Sequence, residues 1–124
     1  MAPGYRRKDR VGDLILHEVS EMILRGEVKD PRVRGAVLTG VRCSDDLSTA
    51  WVYFTVMMGG SKKEVLEGFQ KAAGFIKREL WRRLRIKRVP ELNFEYDATL
   101  EKGYRIDEIL KEISSESEGS GEGS

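Results

Sequence analysis

The chain has 124 residues, of which 40% are hydrophobic and 35% are charged. This length suits one domain with a hydrophobic core and is too short for two. Cys43 is the only cysteine and His17 the only histidine, which excludes a disulfide framework and the usual zinc sites. No stretch approaches the roughly 18 apolar residues of a membrane span, and no signal peptide is visible, so we expect a cytoplasmic protein.

The net charge of +1 conceals an uneven distribution of charge along the chain. Residues 1–90 contain 19 basic and 11 acidic residues, whereas residues 91–124 contain 3 basic and 10 acidic residues. Most of the chain is therefore strongly basic, and its end is acidic. A basic body of this kind indicates a polyanionic partner.

The N-terminal part predicts a flexible basic arm over residues 1–8, followed by a helix from about Asp9 to Arg25. Apolar residues recur at helical spacing in this segment, and Gly26 follows it, as glycine commonly follows a helix. The apolar stripe consists of Val11, Leu14, Ile15, Val19, Met22 and Ile23. The Asp30-Pro31 pair then predicts a turn.

Two strands are predicted after this turn. The first lies within residues 33–44, and the second, from Thr49 to Met58, is rich in β-branched and aromatic residues. Strict alternation assigns the first strand's side chains to two faces, with Ala36, Leu38 and Gly40 on one and Val37, Thr39, Val41 and Cys43 on the other. Because only a short turn around Asp45 and Asp46 separates the strands, we expect an antiparallel hairpin.

The middle of the chain predicts two helices separated by a bend. Ser61 and Glu64 form a capping box at the start of a helix from about Lys62 to Ala72. This helix continues, bent or broken near Gly74, into a third helix from Phe75 to about Arg88, which Pro90 ends. Glycine is less favourable than alanine inside a helix by about 1 kcal/mol, so Gly74 suggests a bend or a close approach.

The C-terminal part contains a third strand over residues 91–97, whose alternation predicts one wet face. The crossover through the helices predicts that this strand lies parallel to the second strand or its neighbour. A loop and a short amphipathic helix over residues 99–113 are expected to pack on the domain. The acidic tail, residues 114–124, is poor in apolar residues and predicts disorder.

These elements predict an α+β domain over residues 9–98. The order α-β-β-α-kink-α-β is that of a KH domain of the second type, with a three-stranded sheet and the helices on one face. KH domains clamp single-stranded nucleic acid with a GXXG loop between two helices. Here the helix-kink motif Ala72, Ala73 and Gly74 stands in that place.

Candidate RNA-binding residues lie in the N-terminal arm and on the cationic side of the long helical run, opposite the side that would pack on the sheet. They are Arg6, Arg7, Lys8, Arg10, Lys71, Lys77, Arg78, Arg82, Arg83, Arg85, Lys87 and Arg88. Trp81 lies between the two sides, where it would either stack on a base or pack at the edge of the core. Phe75 is assigned to the core, because a bend at Gly74 changes the helical phase.

The sequence contains no constellation typical of an enzyme. One histidine and one cysteine make no nucleophile–base dyad, and we expect His17 at the surface and Cys43 as a small packing residue. Asp45 and Asp46 supply too few oxygen ligands for a metal ion and are better explained by turn chemistry. No catalytic residue, metal site or cofactor is predicted.

Several stretches resemble the ribosome-binding factor A family over about residues 5–113. The motifs, specific in combination, are Asp30-Pro31-Arg32, Ser44-x-Asp46-Leu47, Ala72-x-Gly74 and Arg88-Val89-Pro90-Glu91-Leu92. The resemblance implies a KH-like fold. It also implies an assembly factor, not a catalyst, that binds the free small (30S) ribosomal subunit during late maturation and processing of its 16S rRNA, especially in the cold. Because GXXG is missing, the sequence-specific clamping of ordinary KH domains does not carry over.

On this interpretation the partners are the small ribosomal subunit and its rRNA, with no membrane and no small-molecule substrate, and the protein is a monomer. The alternative is a protein-interaction module whose basic helix docks on an acidic protein. Nuclease sensitivity of a co-purifying complex would separate the two hypotheses.

Overall fold

The computed structural model describes residues 4–57 and 60–99 of the chain. It contains helix α1 (Arg7–Leu24), a short 3-10 helix (Pro31–Gly35), strands β1 (Ala36–Cys43) and β2 (Thr49–Val56), helix α2 (Lys62–Leu84) and strand β3 (Glu91–Tyr96). The α+β class and the three-stranded sheet are as predicted. The predicted loop and helix beyond Thr99 and the predicted acidic tail lie outside the described residues.

The three strands form one sheet in the order β1-β2-β3. β1 and β2 are antiparallel, and β3 runs parallel to β2, as the crossover predicted. Parallel pairing is possible because α2 carries the chain back along the sheet between the two strands. The backbone N–H of Glu91 donates to the carbonyl of Ser48 at 2.9 Å, so the start of β3 lies beside the turn between β1 and β2.

A β-bulge interrupts the alternation of β1. The register with β2 shifts between Leu38 and Gly40, which makes Thr39 an extra residue. An extra residue reverses the alternation of side chains beyond it. Val41 and Cys43 consequently face the core on the same side as Leu38, and the predicted assignment of β1 side chains to two faces is wrong beyond the bulge.

Both helices pack on one face of the sheet, as predicted. Phe69 of α2 is central to this packing, because its ring stacks on Phe94 of β3 with centroids 4.5 Å apart and lies 5.3 Å from the ring of Phe54 in β2. The fully buried helix side chains are Ile15, Val19, Met22, Phe69, Ile76 and Leu80. This apolar stripe determines which sides of α1 and α2 face water.

Helix α1 begins earlier than predicted. The backbone N–H of Arg6 donates to the carboxylate of Asp9 at 2.8 Å, and this hydrogen bond closes the first turn. A side chain that satisfies a free N–H at a helix start favours initiation at that point. Arg7 and Lys8 therefore belong to α1 and not to a flexible arm over residues 1–8.

Helix α2 is uninterrupted from Lys62 to Leu84, so the predicted break near Gly74 and the separate third helix are wrong. Ala72, Ala73 and Gly74 are all helical. Burying Phe69 and Ile76 on either side contributes about 1.5–3 kcal/mol per side chain, more than the roughly 1 kcal/mol that one glycine loses. The helix ends before Arg88, because Arg85 adopts the left-handed conformation at φ 55° and ψ 36°.

Candidate nucleic-acid interface

The buried stripe of α2 determines where its basic side chains lie. Phe69, Ile76 and Leu80 face the core, so the lysines and arginines at the intervening positions face outward. Lys71, Arg78 and Arg82 are exposed, and Lys77 and Arg83 are half-buried. The predicted cationic side of the helix therefore exists, but its members differ in how freely they meet solvent.

Arg83 is held by three carboxylates. Its guanidinium donates to Glu27 at 2.6 Å and to Glu79 at 3.1 Å, and it lies 3.7 Å from Glu18 of α1. The hydrogen bond to Glu27 is the main reason that the pKa of Arg83 lies above its ordinary value. Only 23% of the side chain is exposed. Arg83 thus ties α2 to α1 and to the segment after it, and much of its charge is already neutralised.

Three other candidates form ion pairs at the protein surface. Arg82 donates to Glu79 at 2.7 Å, Lys77 to Glu91 at 2.9 Å, and Lys8 to Asp45 at 2.6 Å. The hydrogen bond from Arg82 lowers the pKa of Glu79, and the one from Lys8 lowers the pKa of Asp45. Exposed pairs contribute about 0–1 kcal/mol each, so a phosphate oxygen is able to compete for these cations.

The remaining eight candidates are exposed, and none forms an ion pair with a carboxylate in the described part of the chain. They are Arg6, Arg7, Arg10, Lys71, Arg78, Arg85, Lys87 and Arg88. Unpaired cations bind phosphate without first breaking a native contact. They are therefore the best placed of the predicted residues to bind a polyanion.

The left-handed turn at Arg85 brings the two predicted groups of cations together. After this turn the chain folds back, so that Lys87 and Arg88 line one cavity with Arg7 of α1 and another with Arg78 of α2. If α2 had continued as a helix to Arg88, Lys87 and Arg88 would point away from Arg7 and Arg78. Because Arg85 is not a glycine, the sequence carries no ordinary signal for a left-handed residue here.

Trp81 is exposed over 60% of its surface and lies outside the core cluster, so the interpretation as core-edge packing is wrong. Phe75 is partly buried and packs against the core, as predicted. Trp81 and Arg78 line the same cleft. An exposed indole next to unpaired cations is the combination found in proteins that bind single-stranded nucleic acid.

The acidic turn between β1 and β2 is a hydrogen-bonded structure. Asp46 accepts from the Ser48 backbone at 3.0 Å and from the hydroxyls of Ser44 and Ser48 at 2.8 Å. These bonds, led by the one from the Ser48 hydroxyl, lower the pKa of Asp46 to about 2.

Residues 4–57 and 60–99 contain no group of three or more side chains suited to a metal ion. Cys43 is buried, and burial raises the pKa of its thiol.

The distribution of charge along the sequence did not reveal one structural clamp. Arg32 donates two hydrogen bonds to Asp30, at 2.9 and 2.6 Å, across Pro31. The side-chain hydrogen bonds from Arg32 lower the pKa of Asp30 to about 2. The order Asp30-Pro31-Arg32 was the sequence feature that could have indicated this clamp. The clamp shapes the 3-10 helix, which packs against α2 at Gly68, so Arg32 serves the fold.

The family of this chain is identified by its similarity to known proteins. The family model described as ribosome-binding factor A matches residues 7–110. The chain belongs to the ribosome-binding factor A family. A ribosome-binding factor A from Syntrophus aciditrophicus is 45% identical over 118 residues, which cover 94% of this chain and 95% of that protein.

Solved structures of the ribosome-binding factor A family have the same KH-like fold. The crystal structure of the Thermus thermophilus protein has a TM-score of 0.64 at 26% identity and covers 72% of this chain and 93% of that one. A second Thermus thermophilus coordinate set, fitted into a cryo-EM map of a 30S complex, has a TM-score of 0.53 at 23% identity, with 68% and 93% covered. None of the described helices is long and apolar enough to cross a membrane.

Proposed function

We propose that this protein is a cytoplasmic RNA-binding assembly factor that associates with the free small (30S) ribosomal subunit. It promotes late maturation and processing of the 16S rRNA, above all in the cold, and acts as a monomer without catalysing a reaction. Family membership supports the association with ribosomes. The Thermus thermophilus relative fitted into a 30S complex supports the choice of subunit.

The observation that carries the proposal is the group of cations, unpaired among the described residues, that the turn at Arg85 brings together. Arg7, Arg78 and Arg88 come from three segments, yet they line two cavities that share Lys87 and Arg88. Phosphate contacts from such cations supply affinity and orientation on RNA without reading its sequence. This agrees with the absence of GXXG from the sequence.

The test reverses the charge of three unpaired cations, Arg78→Glu, Arg85→Glu and Arg88→Glu. We expect this triple variant to lose co-sedimentation with the free small subunit while its circular dichroism spectrum stays unchanged, because all three side chains are exposed. The matched control reverses three exposed cations elsewhere, Arg34→Glu, Arg42→Glu and Lys63→Glu, with the same change in net charge.

Two outcomes contradict the proposal. Full binding by the first triple variant places the site elsewhere, and equal loss in both triple variants indicates attraction by net charge alone. A complex that survives nuclease treatment instead favours an acidic protein as the partner. Incubation with precursors of the small subunit checks the absence of catalysis, since we expect no cleavage by the protein alone.

A further inference from the structure

We propose that the cleft between α2 and residues 87–91 binds one unpaired nucleotide of RNA. Its base stacks on Trp81, and its phosphate lies against Arg78 and Arg88. This inference rests on the proposed function, because it assigns a specific class of RNA element to the same surface. It adds that this surface binds an unpaired base in addition to contacting the phosphates of an RNA duplex.

The size and shape of the cleft suit a small ligand. Its volume is about 670 Å³, within the roughly 300–1,000 Å³ common for small-molecule sites. One side is a single face of α2, because Gly74, Arg78 and Trp81 are spaced by one helical turn each. The other side is the returning chain around Arg88 and Val89. A cleft of this volume suits a single nucleotide better than a stacked duplex.

No close contact with a described residue requires a glycine at position 74. The two other glycines inside α1 and α2 are required by close contacts, since a Cβ at Gly12 would lie 2.9 Å from the Val41 carbonyl oxygen and one at Gly68 would lie 3.0 Å from the Arg32 Cβ. A Cβ at Gly74 would meet only the Arg78 guanidinium, at 3.6 Å. Gly74 is helical and so needs no unusual backbone angles. What its missing side chain provides is open space in the cleft.

Trp81 supplies the stacking surface. The indole lies one turn beyond Arg78 and is exposed over 60% of its surface. Tryptophan side chains are highly buried on average, so an indole with this exposure is unusual. Unpaired bases stack on exposed aromatic rings regardless of base type, which agrees with a site that lacks the sequence-specific GXXG loop.

The charges around the cleft favour a phosphate. Arg78, Lys87 and Arg88 are unpaired among the described residues and line the cleft. Among the described residues that line the cleft, the one carboxylate is that of Glu91, and it is neutralised by Lys77 at 2.9 Å. The Ser48 hydroxyl is already engaged, because it donates to Asp46. The cleft thus combines net positive charge with a single aromatic wall.

The first experiment measures tryptophan fluorescence in a Trp51→Phe background, in which Trp81 is the only reporter. The probes are a single-stranded hexanucleotide of uridine, the same backbone with abasic sites, and a duplex RNA with the same number of phosphates. We expect quenching by the uridine strand and little quenching by the other two. The proposal is overturned if the abasic strand quenches the fluorescence equally. It is also overturned if strands bind to the protein and none of them quenches the fluorescence.

The second experiment uses variants that keep every charge. Trp81→Leu should weaken binding of the uridine strand by about 5- to 150-fold, the range expected for one lost base–aromatic stack, and Trp81→Phe should restore most of it. Gly74→Met fills the cleft with a good helix former and should weaken binding at least about 5-fold. Gln70→Met, one turn earlier on an exposed position outside the cleft, is its matched control and should have no effect.

The outcomes separate this inference from the proposed function. If Trp81→Leu and Gly74→Met bind the uridine strand and the small subunit like the wild type, the cleft proposal is wrong, and the charge-reversal test stands independently of it. If charge reversal of Arg78, Arg85 and Arg88 leaves subunit binding intact, the proposed function itself fails. Melting temperatures by circular dichroism that are no lower than that of the wild type establish that each variant is folded.

Discussion

The guanidinium of Arg83 donates a hydrogen bond of 2.6 Å to the carboxylate of Glu27, which follows α1 in the chain. This contact distinguishes structural from solvent-facing cations at the end of α2, which the sequence alone does not distinguish. Arg83 is surrounded by carboxylates and holds two helices together. Arg85, just beyond it, is exposed and forms no ion pair with a described residue.

We therefore predict opposite phenotypes for Arg83→Gln and Arg85→Gln. Arg83→Gln should destabilise the fold by about 1 kcal/mol, near the lower end for a charged hydrogen bond because the group is partly solvated. Arg85→Gln should leave stability unchanged and weaken RNA binding. Urea denaturation and RNA titration on both variants measure the two effects. Equal midpoints of urea denaturation for the two variants would contradict the structural role assigned to Arg83.

The helical glycines should respond differently to alanine. A methyl group at Gly12 would lie 2.9 Å from the backbone oxygen of Val41, so Gly12→Ala should destabilise the protein by about 1–3 kcal/mol. Gly74→Ala meets no close neighbour and should stabilise it by about 1 kcal/mol. Denaturant midpoints check both values. Loss of stability in Gly74→Ala would restore the original prediction of a tight approach at this glycine.

Acid should weaken the turn between β1 and β2. The pKa of Asp46 is about 2 in the folded protein and near its ordinary 3.8 when unfolded. A carboxyl with a lower pKa in the folded state stabilises the protein above its unfolded pKa. That contribution is lost as the pH falls from about 4 to about 2. Asp46→Asn should make this part of the stability profile shallower, while Asp30, whose pKa is also about 2, keeps part of the slope. Urea denaturation at several pH values measures this effect, and an unchanged profile would contradict the prediction.

Salt dependence should distinguish the cations from the indole. If about five phosphates are contacted, the logarithm of the affinity for single-stranded RNA should fall with the logarithm of salt concentration at a slope of about −0.7 per contact. Arg78→Gln should make this slope shallower by about 0.7. Trp81→Leu should lower the affinity and leave the slope unchanged, because stacking releases no counterion. Titrations from low to moderate salt measure all three, and a salt-independent affinity would exclude phosphate contacts.

Local patterns were reliable where burial of one face decides the structure. The apolar spacing of residues such as Ile15 and Val19 predicted α1, and alternation predicted β2 and β3. Patterns failed where a single residue changes the outcome. The extra residue at Thr39 reversed the faces of β1, and the local signal for this bulge was Gly40, because a glycine inside a strand often marks one. At Gly74 the packing of the side chains around it outweighed the low helix propensity of glycine.

The sequence by itself determined the class of fold, the cationic character of α2 and the likeness to the ribosome-binding factor A family. These follow from periodicity, charge and motifs that are local in the chain. Only the tertiary structure decided which cations are free and which are structural, and that Arg7, Arg78 and Arg88 line neighbouring cavities. The reason is that ion pairs such as Arg83–Glu27 join residues far apart in sequence. The left-handed turn at Arg85 likewise depends on where the following strand must pair.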